Sequence, residues 1–295
     1  MTTHGAHSSL ATASVPPRER NWIRGLVLTS AIVLAILVGV TASGRLVDAR
    51  AIPAGCVSLA TSRADAITTL ACVWVALTLL GLGVGRLVNA VVGAFVFGAG
   101  LTALTLRSAS ISGAIFDHAS LRAIGMETLI WAVPLTLTLV VIFRLSGPLP
   151  DIAPRFGGEA GRRWWREYFD LDAIRSGFVG VLLPLMAWVL VRNMLKGQAF
   201  GGACAGGVAV GIAYRLVAPQ VTPLFAFIAP VVLMGVYQVY GASRLSVDPT
   251  LLFAAGSLPP ELRLLPLDTV AGAVTGVAIG LGWARSFRRS DTIAS

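Results

Sequence analysis

Apolar residues in this chain gather into long unbroken runs, with no alternation of period two and no narrow amphipathic stripe. Eight such runs recur, at about residues 24–43, 65–84, 87–106, 124–144, 176–194, 199–217, 222–242 and 267–284. Each reaches or approaches the roughly 20 residues that an α-helix needs to cross a hydrocarbon core. The pattern predicts an all-α, polytopic transmembrane bundle of eight spans.

The last run sets the theme. In Thr269–Trp283, TVAGAVTGVAIGLGW, Gly272, Gly276 and Gly280 recur every four residues on one helical face. In water each glycine would cost a helix about 1 kcal/mol relative to alanine. In lipid a stripe without side chains lets a second helix approach to backbone contact. The sixth run carries Gly202-x-x-x-Gly206 and Gly207-x-x-x-Gly211, and the third adds Ala90, Ala94 and Gly98. The sixth and eighth runs point the same way at similar depth, so they are expected to cross closely, within one chain or between two copies.

Segments between the runs divide the chain. Residues 1–22 read as a disordered tail rich in Ser, Thr and Ala and ending in arginines. Residues 23–144 form a first membrane half, 145–175 a central loop, 176–284 a second half and 285–295 a basic tail. Within the loop Trp164, Trp165 and Tyr168 share a helical face, with Arg162, Arg163 and Arg166 largely on others. That is the pattern of an amphipathic helix lying among headgroups, either orienting the bundle or docking a partner. No internal repeat relates the halves. The loop before the last run holds an apolar patch, Leu251 to Ala255, suited to the membrane surface.

Composition sharpens this. Only 13% of residues are charged and 56% are hydrophobic, with a mean hydropathy of +0.80. About 25% charged is usual for a soluble domain. A formal charge of +9 would suggest nucleic acid in a soluble protein. Here the basic residues flank the runs as topology signals, and no nucleic acid is expected. Fourteen of the 23 lie on the side of the N-terminus, which predicts a bacterial-type inner membrane protein with both termini cytoplasmic. Trp22 and Trp283 mark that interface, and Trp188, Tyr237 and Tyr240 the other. Lys196 is the single lysine, read as genomic base composition. Val40-Thr41-Ala42 would suit a signal peptidase, but the first run is long enough to be a retained anchor.

Chemistry is sparse. Pro134, Pro184 and Pro230 fall near the middle of three runs. Each removes a backbone hydrogen bond, which transporters use to build midplane sites and other proteins use merely to bend. No acidic residue sits near the centre of a run; Asp65, Glu127 and Asp268 read as first-turn residues and Asp268 as the N-cap of the glycine helix. An ion-coupled carrier of charged solutes is therefore disfavoured. His4 and His7 lie in the tail, which leaves His118 alone. Cys56, Cys72 and Cys204 have no metal spacing, and nothing implies a cofactor.

Two resemblances touch short stretches. Ala203-Cys204-Ala205-Gly206 resembles the Cys-Ser-Gly stretch of exosortase-type membrane peptidases without its hydroxyl. Ser243-Arg244 followed by Asp268-Thr269-Val270-Ala271-Gly272 resembles the last motif of the PAP2 lipid-phosphatase family. The nucleophilic histidine of that motif is missing and no Pro-Ser-Gly-His occurs, so phosphoryl transfer through histidine is not implied. Three readings follow: a non-catalytic membrane component or scaffold, a small permease or flippase-like carrier of neutral or lipid-like molecules, and a degenerate PAP2-like protein. A carrier would show a midplane cavity joining Thr68, Thr136, Gly180 and the prolines. A bilayer is the certain partner, with a second copy or another membrane protein as candidates.

Overall fold

A computed structural model describes residues 19–291 apart from 49, 148 and 150–168. It is an all-α bundle, with no strand among the described residues beyond two isolated bridges in one loop. Its helices are α1 (Glu19–Ser43), α2 (Arg63–Leu87), α3 (Ala90–Arg107), α4 (Ile111–Phe116), α5 (Leu121–Leu145), α6 (Leu171–Ser176), α7 (Leu182–Leu190), α8 (Lys196–Val217), α9 (Leu224–Ser243), α10 (Pro249–Ala254) and α11 (Pro266–Asp291). Eight spans among the described residues are long and apolar enough to cross a membrane. The proposed amphipathic stretch with Arg162, Arg163, Trp164, Trp165, Arg166 and Tyr168 lies outside the described residues.

Short polar residues start the helices where free amides need acceptors. Ser62 accepts from Asp65 N, Asn89 from Val92 N and Ser120 from Ala123 N. Successive spans reverse direction, so the bundle has a terminal end, near residues 22 and 285, and a loop end. Exposed apolar side chains such as Leu79, Ile130, Leu137 and Phe178 cover its flanks, as a lipid-facing surface requires.

The fifth span differs from its run. It begins at Leu171, ahead of Ser176, because Asp170 accepts from Leu171 N and so starts α6 inside the expected loop. It then tightens into a 3-10 stretch, Gly177–Val181, before α7. Pro184 thus stands in the first turn of α7, not in mid-helix. The tight winding brings Gly180 against α9, where an added Cβ would lie 2.7 Å from Pro230 N.

The last helix is the central one: 83% of its span is buried, against 17% for α1. It packs against α3, α5, α8 and α9, while α1 packs on α2 and α3.

Candidate functional site

Three constellations stand out among the described residues: a glycine seam, a polar layer beneath the loop end, and a groove in the flank. In the seam α8 and α11 run in the same direction at backbone contact. An added Cβ on Gly207 would meet Gly272 O at 2.9 Å and Gly276 Cα at 3.1 Å, and one on Gly211 would meet Gly280 Cα at 3.0 Å. From the other side Gly272, Gly276 and Gly280 sit against Ala203, Cys204, Val208 and Ile212. Gly202 and Gly206 do not join this seam. They face α7, at Val191 and Leu183. So α8 uses two smooth faces for two neighbours within its own chain.

The polar layer gathers Glu127, Glu261, Arg263 and Asp268, all buried. Asp268 is not the N-cap that the sequence suggested. Leu265 precedes the helix, and Asp268, its third residue, reaches back to accept from Leu265 N at 3.1 Å. That is the returning half of a capping box. Its other oxygen takes the Lys196 ammonium at 2.8 Å and the Thr105 hydroxyl at 3.3 Å. Lys196 also donates to Ala109 O at 3.0 Å. One ion pair therefore ties the starts of α8 and α11 to the end of α3.

Beside it, Gln238 accepts from Thr128 Oγ1 at 2.7 Å and donates to Glu261 O and Leu264 O. The Arg263 guanidinium donates to Leu258 O, Val191 O and Gly256 O. Burial pushes the Glu261 carboxyl up from its ordinary value and the Arg263 guanidinium down. These groups spend their hydrogen bonds on loop backbone, which lipid could not otherwise satisfy.

Glu127 completes the layer. The sequence placed it in a first turn, but α5 begins at Leu121, so it lies a turn deeper and is buried. It accepts from Val57 N at 2.7 Å, Ser58 N at 3.0 Å and Trp131 Nε1 at 3.3 Å. It anchors the loop between α1 and α2. Burial, aided by the Glu127 charge, raises the neighbouring Cys56 thiol to about 12, which keeps it protonated and a poor nucleophile at neutral pH.

Below Glu127 a groove of about 850 Å³ opens between α2 and α5. Trp74 and Trp131 stack at 5.1 Å within it, and Phe97 meets Trp74 edge-on at 5.0 Å. Trp74 Nε1 is bonded to Thr138 at 2.7 Å and Trp131 Nε1 to Glu127, so both rings offer only apolar surface. Exposed Ile67, Val75, Met126 and Ile130 form its lips. Pro134 lines it too. Arg63 stands at its loop end.

The residues named for a midplane carrier cavity are dispersed. Thr68 and Thr136 hydroxyls bond back to Ala64 O and Ala132 O within their own helices. Gly180 and Pro230 close on each other, while Pro134 faces the flank groove. The residues that resemble the PAP2 motif are occupied otherwise: Ser243 bonds to Val239 O, Arg244 lies over Tyr240 and Asp268 pairs with Lys196. Sequence reasoning missed Lys196, Gln238 and the two tryptophans. Only Lys196 left a signal, as the one ammonium in an arginine-rich chain. Comparison with protein families, curated proteins and solved structures finds no match.

Proposed function

We propose that this integral membrane protein is a non-catalytic component of a bacterial-type inner membrane, both termini cytoplasmic, whose working feature is the flank groove, which takes a lipid-like molecule from the bilayer. The groove itself carries this reading. Its volume of about 850 Å³ falls in the roughly 300–1,000 Å³ range of small-molecule sites. Its walls are nearly all apolar, and Trp131, half-buried and backed by the buried Trp74, offers aromatic surface suited to a chain or ring. The side opening supports entry from lipid and not from water. A homo-oligomer or membrane-protein partner would meet faces other than the glycine seam, which α8 and α11 already fill for each other.

Brominated-chain lipid tests this in a variant that keeps Trp74 and Trp131 and has its other five tryptophans replaced by Phe. Titration in detergent should quench fluorescence in a saturable phase at low lipid-to-protein ratio. Ala71→Phe, which fills the groove, should remove that phase. Quenching that never saturates and is indifferent to Ala71→Phe would refute the reading.

A further inference from the structure

The terminal end carries a second cavity, far along the bundle from the flank groove. It holds about 330 Å³, between α1 and α11 over a floor of α3. Leu28 lines one wall, Ala278 and Leu281 the other, and Phe95 the floor. Two guanidinium groups, Arg215 of α8 and Arg285 of α11, line it, and no carboxylate is among the described residues that do so. Arg215 is 4% exposed, so it forms the inner, buried side of the site. On the same two helices and at the same end stand Trp22 and Trp283, 62% and 57% exposed. Exposed indoles at the ends of spans sit at headgroup level.

We propose that this cavity binds the phosphate of an anionic phospholipid drawn from the adjoining leaflet. The depth fits. Guanidinium groups at headgroup level take phosphate oxygens through paired N–H donors. The apolar walls below receive the glycerol and the first part of a chain, which a free phosphate would leave empty. Basic pockets between spans on one side of a membrane recognise acidic headgroups in this manner. Since α1, α3, α8 and α11 all contribute, the bound lipid fastens the peripheral α1 to the central α11 through its own headgroup. Nothing in this depends on the flank groove, which lies between α2 and α5.

Native mass spectrometry of the full chain in mild detergent tests the site, with phosphatidylglycerol, phosphatidylcholine of the same chains, and glycerol phosphate as probes. Phosphatidylglycerol should be retained as one adduct, at least tenfold more tightly than phosphatidylcholine. Arg285→Gln, at a half-buried position near the end of α11 that should fold, is expected to weaken that adduct about tenfold, and Arg285→Lys to weaken it less. Arg86→Gln, at the same end but outside the cavity, should leave it unchanged. Equal retention of the two lipids, or an Arg285→Gln adduct as tight as that of the unaltered protein, would overturn the proposal. Glycerol phosphate competing as well as the whole lipid would overturn it also, by showing a site for soluble anions.

Discussion

Lys196 and Asp268 sit where water barely reaches: the carboxylate is fully buried and the lysine side chain is 15% exposed. Removing the ammonium leaves a buried carboxylate with hydrogen bonds from Leu265 N and Thr105 but no opposing charge. Stranding one partner of such a pair costs about 3–5 kcal/mol, whereas removing both charges costs far less. Lys196→Met should therefore lower the unfolding midpoint in detergent sharply, and adding Asp268→Asn should recover part of the loss. The measurement is a double-mutant cycle, and strict additivity would contradict it. Arginine is no substitute at 196, because a flat fork replaces the compact ammonium that reaches both Asp268 and Ala109 O. At this scale the chain was least legible. A charge at the end of an apolar run looks alike whether it snorkels to water or closes a buried pair, and only the arrival of α3 beside α8 and α11 separates the two.

Helices were far easier to read, since length and apolarity decide a span before any contact is known. Eight runs became eight spans. Their packing faces were half legible: a four-residue glycine period shows a smooth face but not what meets it. On α8 the adjacent pairs Gly202/Gly206 and Gly207/Gly211 look interchangeable, yet one serves α7 and the other α11. The fifth span was misjudged at its start, because Asp170, a polar N-cap, begins the helix at Leu171, ahead of the run read from Ser176. The seam also yields a contrast between glycines of similar sequence context. Gly276 faces the backbone of Cys204 and Val208, with no flexible side chain able to yield, while nothing lies within 4 Å of a Cβ on Gly201. Overpacking a tight interface costs about 1–3 kcal/mol, and removing an exposed helical glycine gains up to about 1 kcal/mol. Gly276→Ala should lower the thermal midpoint by several degrees and Gly201→Ala leave it level or higher. Equal effects would mean that α8 and α11 are not held in backbone contact.

At the scale of the whole molecule, the long central loop invites a division into two membrane halves, but the packing crosses it. Gly125 and Leu129 of α5 meet Val239 and Gly235 of α9, and Gly98 of α3 meets Val274 and Thr275 of α11. A threonine pair, Thr102 with Thr275, bridges the same α3–α11 contact at 3.0 Å. The helix with the most buried span belongs to the second half, and much of what buries it comes from the first. Without residues 1–150, α11 would turn the face that carries Val274 and Thr275 toward lipid, and Asp268 would lose the Thr105 hydroxyl, leaving polar groups that are costly in a bilayer. Two pieces, 1–150 and 169–295, should therefore copurify when coexpressed with a tag on one of them. Each alone should be degraded or elute as aggregate. A second half that is stable and monodisperse by itself would show that the α3–α11 and α5–α9 contacts are dispensable, and the bundle would then be two units joined by a loop. Copurification would instead place the folding decision at the meeting of the halves, where α3 brings the Thr105 hydroxyl to Asp268 and the chain just after it brings Ala109 O to Lys196.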